Sequence, residues 1–174
     1  MSTCSRWLNR ETFSSHEDFL KNCKISHPDN FNFAFDVVDA IAKEDPGRRA
    51  MVWCNDSGEE RVFTMADIAR ESNRAANVFH SLGVKRGDTV MLILKRRYEY
   101  WFALMGLCRI GAIAIPATNQ LKKKDITYRV KLANVKMLVC VNEDSIKSAV
   151  QEAEQEVKIP VKALAAGGGA DTEW

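Results

Sequence analysis

Two runs of consecutive basic residues are the groups in this sequence best suited to binding a phosphate-rich ligand. One run is residues 95–97 (KRR) and the other is residues 122–124 (KKK). Each follows an apolar segment that predicts a buried strand, and open α/β sheets bind ligands at the carboxyl ends of their strands. Runs of charge are also commonly solvated loop residues, which the general rule for charged side chains favours. Both interpretations stay open on the sequence alone.

Four aromatic residues directly follow the first basic run, namely Tyr98, Tyr100, Trp101 and Phe102. Their rings could stack on a nucleotide base or line an acyl pocket. A helix more often packs such rings into the protein core. The aromatic group therefore adds a second candidate surface at the same place in the chain, with a structural role as the alternative.

The motifs of a self-contained active site are missing. No G-x-G-x-x-G follows a strand, no G-x-x-x-x-G-K-[ST] occurs, and no serine lies in a G-x-S-x-G elbow. His16, His27 and His80 are too far apart in sequence to form an i, i+4 metal-binding pair. From the residues alone, the chain is predicted to be an α/β domain that carries no complete catalytic centre.

Composition and charge limit the binding partners and the cellular compartment that are expected for the protein. The chain has 174 residues and a net charge of +2, so no strong field attracts nucleic acid or an anionic membrane. Residues 98–115 are the only membrane-span candidate, and their charged residues and glycines argue against one. The five cysteines lack metal or redox spacing. Cys54, Cys108 and Cys140 are expected to pack as small hydrophobes, which fits a reducing cytosol.

The elements that would position these groups alternate between strands and helices. Residues 90–94 and 112–115 are apolar at every position, which is typical of parallel strands covered on both faces. Residues 136–141 and 161–165 predict two further strands. Helices are predicted around and between the strands, at residues 64–82, 98–107, 125–133 and 142–157. The strand–helix–strand unit formed by residues 90–115 should have a right-handed crossover.

The N-terminal part is predicted to hold shorter elements. Ser14 and Ser15 can cap a helix over residues 16–23. A second helix is predicted over residues 33–44, where the apolar residues Phe35, Val38 and Ile41 recur at the spacing of one helix face. Residues 50–54 and 61–64 flank a turn and predict an antiparallel hairpin. The fold class is therefore three-layer α/β, with a mostly parallel sheet, helices on both faces and an early antiparallel hairpin.

Several segments occur in an order that is specific in combination. They are residues 61–64 (RVFT), 73–76 (NRAA), 83–90 (GVKRGDTV), 98–101 (YEYW) and 107–116 (LCRIGAIAIP). From about residue 33 to residue 141, this order resembles the N-terminal part of the AMP-forming acyl-CoA synthetases of the adenylate-forming superfamily. Residues 116–121 (PATNQL) and 125–129 (DITYR) are most similar to the medium-chain branch.

The resemblance implies a function for a longer parent enzyme. Such enzymes activate a carboxylic acid, here a fatty acid, with ATP and Mg, and then pass the acyl group to coenzyme A. The family's phosphate-gripping loop and catalytic lysine are absent from this sequence, so the chain alone is expected to be inactive. The implied domain organisation is an extension with a short helix (1–32), an α/β subdomain (33–165) and a tail that stops before the phosphate loop (166–174).

The resemblance also implies one binding residue, Gln120. It lies four residues past Pro116, where the chain leaves a predicted strand at its carboxyl end. A glutamine offers two donors and an acceptor, which suit the amides or the adenine of a coenzyme. In medium-chain acyl-CoA synthetases the glutamine at the matching place lies on the coenzyme A side. The alternative is a plain polar loop residue. The lysines at 122–124 follow directly and could draw in the coenzyme's phosphates.

Other functions remain in competition. The main alternative is a non-catalytic α/β binding or regulatory module derived from the same scaffold. Nucleic-acid binding through the two basic runs is a third class, which the net charge of +2 disfavours. In the resembled enzymes this subdomain packs against a second one. The isolated chain is therefore expected to expose apolar surface and to self-associate.

Overall fold

The computed structural model describes residues 3–157 and 162–166 of the chain. Its helices are α1 (His16–Asn22), α2 (Ala40–Glu44), α3 (Met65–Ser81), α4 (Glu99–Arg109), α5 (Lys123–Ala133) and α6 (Asp144–Val157). Its strands are β1 (Arg49–Cys54), β2 (Glu60–Thr64), β3 (Thr89–Ile93), β4 (Ile113–Pro116), β5 (Val135–Val141) and β6 (Lys162–Ala166). A 3₁₀ turn (Thr3–Arg6) and a π-helical segment (Ala34–Asp39) complete them.

The four later strands form a parallel sheet in the order β4-β3-β5-β6. The chain moves one way across the sheet from β3 to β4, and the other way from β4 to β5 and from β5 to β6. Right-handed crossovers therefore place α4 on one face of the sheet and α5 and α6 on the opposite face. Helix α3 packs on α4, and α5 packs on α6. The three-layer prediction is confirmed, as is the antiparallel hairpin of β1 and β2.

The core lies around β3 and β5, whose apolar runs are covered from both faces. All five residues of β3 are buried, and Leu92 pairs with Val139 across the two strands. Phe79 of α3 reaches this core and is 4% exposed. At the start of α3, Thr64 Oγ1 accepts from Asp67 N at 3.2 Å, and Asp67 Oδ2 accepts from Thr64 N at 2.9 Å. This reciprocal cap satisfies donors that a helix start leaves unpaired.

Helices α3 and α4 approach each other most closely at Gly106. A Cβ added there would lie 2.8 Å from Ala75 Cβ and 2.9 Å from Ala76 N. Both distances are shorter than real carbon contacts, so no larger residue fits without moving a helix. One turn further on, Arg109 is buried and donates from Nε to Ser72 Oγ at 3.0 Å. The two helices are thus joined by a close contact and a hydrogen bond.

Strand β4 differs from its prediction. It was expected to be covered on both faces, but its residues are partly or fully exposed, and Ile113 is 54% exposed. The reason is its place at the edge of the sheet, where only β3 pairs with it among the described strands. Pro116, predicted to stop the strand, is its last residue and stands opposite Leu92. Proline is tolerated there because an edge strand leaves some N–H positions unpaired.

The second predicted helix also differs. The π-helical segment occupies its first half, and Ala34 and Val38 are its buried residues, whereas Phe35 is 49% exposed. The expectation for Phe35 was therefore wrong. Asp39, at the end of the segment, forms an ion pair with the guanidinium of Arg109 at 2.5 Å. The ring of Phe35 lies 5.2 Å from the same guanidinium, so the segment packs around this buried charge.

The cysteines divide by environment. Cys140 is buried in β5, and burial raises the pKa of its thiol to about 11. Cys108 is half-buried, and its thiol donates to Asn32 Oδ1 at 3.3 Å. Cys54 is exposed, contrary to the expectation that it packs as a small hydrophobe. Cys54 is the last residue of β1 and lies at the hairpin turn, where its side chain is open to solvent.

Candidate functional site

A cleft of about 790 Å³ lies at the carboxyl ends of β3 and β4. Three parts of the chain form its walls: the turn of the β1–β2 hairpin, the loop after β3 and the loop after β4. The lining residues are Trp53, Cys54, Asn55, Asp56, Glu59, Arg61, Lys95, Arg96, Arg97, Tyr98, Ala117, Thr118, Asn119 and Gln120. This is the edge of the sheet at which the sequence predicted a ligand, and the volume is typical of ligand pockets.

Gln120 lines this cleft and is exposed. Its backbone N–H donates to Thr118 Oγ1 at 3.3 Å, which fixes the main chain of the loop after β4. Among the described residues its side-chain amide has no hydrogen-bond partner, so both donors and the acceptor are open to a ligand. A contact between Gln120 and coenzyme A stays a prediction.

The first basic run lies in the same cleft, and two of its three charges are paired. Lys95 Nζ donates to both carboxylate oxygens of Glu143 at 2.5 and 2.6 Å. Arg97 donates to Glu99 at 2.5 and 3.1 Å, and these bonds raise the pKa of Arg97. Arg96 is exposed and has no carboxylate partner within the part of the chain that the structure describes.

The second basic run does not line the cleft. Helix α5 begins at Lys123, two residues earlier than predicted, so the last two lysines of the run are its first residues. The backbone N–H of Lys122 donates to Asp125 Oδ2 at 3.2 Å in the first turn of the helix. Lys123 Nζ lies 3.2 Å from Glu156 Oε2 on α6. Lys123 is thus bonded to α6, Lys124 is exposed, and none of the three lysines is among the lining residues of the cleft.

The hairpin supplies a wall that the sequence did not assign to the site. Trp53 Nε1 donates to the carbonyl oxygen of Arg96 at 2.6 Å, and its ring packs edge-to-face on Tyr98 at 5.0 Å. The guanidinium of Arg61 lies 5.1 Å from the Tyr98 ring and is bonded to Glu59 at 2.8 Å. The sequence carried no clear signal for this wall, because residues 50–54 are all apolar and do not show which face of the strand is covered.

The structure separates the aromatic group into two pairs. Tyr98 and Phe102 pack on Phe63 of the hairpin, with centroid distances of 5.1 and 5.4 Å. Tyr100 and Trp101 are edge-to-face at 5.3 Å and line a smaller depression of about 330 Å³. Lys95, Arg96 and Arg97 border both this depression and the cleft. The first pair is structural, whereas Trp101 is 49% exposed.

Most of the residues that line the cleft are polar or charged. Four basic side chains, three amides (Asn55, Asn119 and Gln120) and two carboxylates (Asp56 and Glu59) line it. No histidine lies in the lining. Within residues 3–157 and 162–166, no group of three or more His, Cys, Asp or Glu side chains is placed to hold a metal ion. The arrangement supplies binding groups, with no pairing of a nucleophile and a base.

No helix in the described part of the chain combines the length and the apolar character that crossing a membrane requires.

Comparison with known proteins identifies the family. The sequence model of the family described as AMP-binding enzyme matches residues 38–173. The human acyl-coenzyme A synthetase ACSM2A, mitochondrial, is 38% identical over 152 residues, which are 80% of this chain and 26% of the relative. The human acyl-coenzyme A synthetase ACSM3, mitochondrial, is 34% identical over 141 residues, 78% of this chain and 24% of the relative.

The solved structures agree at the level of the fold. A benzoate CoA ligase from Burkholderia xenovorans LB400 superposes with a TM-score of 0.67 at 18% identity, over 79% of this chain and 26% of that protein. The chain therefore spans about a quarter of the length of these relatives. The resemblance inferred from the sequence is confirmed: the chain belongs to the AMP-binding enzyme family and is similar to about a quarter of the length of the acyl-coenzyme A synthetases.

Proposed function

We propose that this chain is part of an AMP-dependent acyl-CoA synthetase. The parent enzyme activates a carboxylic acid, of the fatty acid class, with ATP to an acyl-adenylate and passes the acyl group to coenzyme A. The observation that carries the proposal is the match of residues 38–173 to the AMP-binding enzyme family. The names of the similar proteins, acyl-coenzyme A synthetases and a benzoate CoA ligase, support the acid and the thiol as substrates.

Within that enzyme, the role of this chain is to form one side of the coenzyme A site. The cleft lies at the carboxyl edge of the sheet, is lined by amides and cations, and contains Gln120 with an open side chain. The described residues bring no group of three or more His, Cys, Asp or Glu side chains together. The phosphate-gripping loop is also missing from the sequence. We therefore assign no residue of this chain to Mg or to the triphosphate of ATP.

The chain alone should not catalyse adenylation. Phosphoryl and adenylyl transfer need positive groups fixed around the developing charge, and such groups give a large part of an enzyme's rate enhancement. Nothing in the cleft replaces the family's phosphate loop and catalytic lysine. The test is carboxylate-dependent exchange of pyrophosphate into ATP, together with acyl-CoA formation, for this chain and for the full-length protein that contains it.

We expect exchange and acyl-CoA from the full-length protein and neither from the chain alone. Exchange by the chain alone would contradict its inactivity. A folded full-length protein that makes no acyl-CoA with any of a series of short, medium and aromatic carboxylic acids would contradict the ligase proposal and favour the non-catalytic module.

We also propose a boundary near residue 32 between an N-terminal extension and the α/β subdomain of residues 33–165. Contacts at both ends of the extension join it to the subdomain. Arg6 forms an ion pair with Glu44, and Asn32 Nδ2 donates to the Cys108 carbonyl at 2.7 Å. Limited proteolysis that cuts first between residues 23 and 33 supports the boundary, and a first cut inside the sheet contradicts it. Of the proposed tail at 166–174, residues 167–174 lie outside the described part of the chain.

For location we propose the cytosol, because the free cysteines Cys23, Cys54, Cys108 and Cys140 suit a reducing compartment. The names of the similar acyl-coenzyme A synthetases place those proteins in mitochondria. Imaging of the tagged full-length protein tests the proposal. Diffuse cytosolic signal supports it, and mitochondrial signal contradicts it.

A further inference from the structure

The four basic side chains of the cleft differ in how their charge is used. Arg61 is bonded to Glu59 at 2.8 and 2.9 Å, and Lys95 and Arg97 are bonded to Glu143 and Glu99. Arg96 alone has no carboxylate partner among the described residues. A guanidinium cannot lose its proton in a protein, so Arg96 keeps a full positive charge that nothing in the described structure neutralises.

Interactions at Arg96 and at both of its neighbours in sequence fix the main chain at this position. Its carbonyl oxygen accepts the short bond from Trp53 Nε1 at 2.6 Å. The preceding Lys95 has a φ of 52°, a left-handed conformation rare for a side-chain-bearing residue, and its ammonium is bonded to Glu143. The following Arg97 donates from its backbone N–H to the Leu94 carbonyl at 3.1 Å. A fixed backbone lowers the conformational entropy that a ligand must remove on binding.

The position of Arg96 indicates which kind of ligand this residue can bind. It borders both the 790 Å³ cleft that holds Gln120 and the 330 Å³ depression that holds the exposed Trp101. A guanidinium forms paired hydrogen bonds with phosphate oxygens, which makes it well matched to a diphosphate. A ligand with amides on one side of its diphosphate and a nucleoside on the other has groups for both depressions. Coenzyme A has that order of groups.

We propose that Arg96 binds the diphosphate of coenzyme A, at the border between the two depressions. This inference rests on the proposed function, which makes coenzyme A a substrate of the parent enzyme. The carboxylate of Asp56, on the hairpin turn, also lines the cleft. It disfavours small free anions that lack the amide and nucleoside contacts of the whole coenzyme.

Isothermal titration of the 174-residue chain with coenzyme A, ADP and inorganic pyrophosphate tests the proposal. We expect coenzyme A to bind more tightly than ADP, and ADP more tightly than pyrophosphate. Arg96→Gln should weaken coenzyme A binding about tenfold, which is the scale of one charge-assisted hydrogen bond. Arg96→Lys should recover part of the loss. Lys124→Gln is the matched control, since it removes an exposed positive charge outside the cleft and should leave the affinity unchanged.

Several results would overturn the proposal: no binding of coenzyme A by the wild-type chain, equal affinity of wild type and Arg96→Gln, or tighter binding of ADP or pyrophosphate than of coenzyme A. An equal loss in Lys124→Gln would also overturn it by showing a diffuse charge effect. Because the Arg96 side chain is exposed, the circular dichroism spectrum and Tm of the variant should match those of the wild type.

The full-length protein separates this inference from the proposed function. If Arg96→Gln leaves the KM for coenzyme A unchanged in an active acyl-CoA synthetase, the inference fails and the function stands. If the chain binds coenzyme A through Arg96 but the full-length protein makes no acyl-CoA, the function fails and the binding site stands.

Discussion

Gln120 is the residue whose substitution tests the coenzyme A side of the cleft most directly. In the full-length protein, Gln120→Ala should raise the KM for coenzyme A, because it removes a neutral hydrogen bond that contributes ~0.5–1.5 kcal/mol. The adenylation half-reaction, measured by pyrophosphate exchange, should be unchanged. Gln151→Ala is the control, since Gln151 is an exposed glutamine on α6 that does not line the cleft. A loss of adenylation with a steady KM for coenzyme A would place Gln120 on the ATP or carboxylate side.

Phe79 is the residue with the clearest energetic role, because its ring is 4% exposed in the main core. Phe79→Ala should lower the free energy of unfolding by ~3–5 kcal/mol, through lost burial and a residual cavity. Urea denaturation monitored by circular dichroism measures the change. Val78→Ala, at an adjacent position that is 48% exposed, should change it far less. Equal effects of the two substitutions would show that the core does not depend on this ring.

Burial of single residues was predictable where it followed local periodicity, as at Phe79, and not where it depended on distant partners. Arg109 illustrates the second case. It bonds to Ser72 and Asp39, which precede it by 37 and 70 residues, and nothing in the sequence near Arg109 indicates either partner. Arg96 is similar. Only the structure shows that Lys95 and Arg97 are paired with carboxylates and that Arg96 has no carboxylate partner among the described residues.

At the scale of elements, the cap of α3 predicts a dependence of stability on pH. Hydrogen bonds from the backbone and side chain of Thr64, and then from Arg70, lower the pKa of Asp67. Its contribution to stability is therefore complete above the unfolded value of about 3.9, and is lost as the pH falls through the lower folded pKa. Unfolding free energies measured at pH 7, 4 and 3 should show this loss.

The matched variants isolate that effect from other carboxylates. Asp67→Asn should be less stable than the wild type at pH 7, and the difference between the two should shrink as the pH falls to 3. Asp56→Asn, on the exposed hairpin turn, should follow the wild type across the range. A constant difference between wild type and Asp67→Asn at all three pH values would contradict the assignment.

The strands and helices were largely predictable from the sequence, whereas the exposure of each element and its contacts with the others were less predictable. The predicted segment 90–94 became β3 at Thr89–Ile93, because an unbroken apolar run has few other stable placements. The run at 112–115 has the same apolar pattern but forms the exposed edge strand β4. A local apolar pattern does not reveal the order of the strands in the sheet, so the edge position could not be predicted. The hairpin was predicted as an element, but its contact with Tyr98, which builds the cleft, is a tertiary fact.

The whole chain should self-associate when isolated. Large apolar side chains remain exposed, among them Ile113 on the open edge of β4, and an unpaired edge strand is a template for pairing with another chain. Sedimentation velocity should show concentration-dependent association, and an apolar dye should bind. Ile113→Lys should weaken association, because charge on an edge strand opposes pairing. Val78→Lys, on the exposed side of α3, is the control.

A dye-negative monomer over a wide concentration range would contradict this prediction. It would also favour the self-sufficient binding module over a part taken from a larger enzyme, because such a part is expected to expose surface that a neighbouring subdomain covers.

The tight contact at Gly106 couples the packing of α4 on α3 to the position of Arg96 and Tyr98, which lie just before α4 begins. The helix begins beside the cleft, at Glu99, and is pinned to α3 seven residues later, about 10 Å along its axis. A side chain at position 106 would force α4 away from α3, and its first turn would carry Tyr98 and the loop of Arg96 with it. A genetic screen for mutants that use coenzyme A poorly should therefore recover substitutions at Gly106, a residue that does not line the cleft.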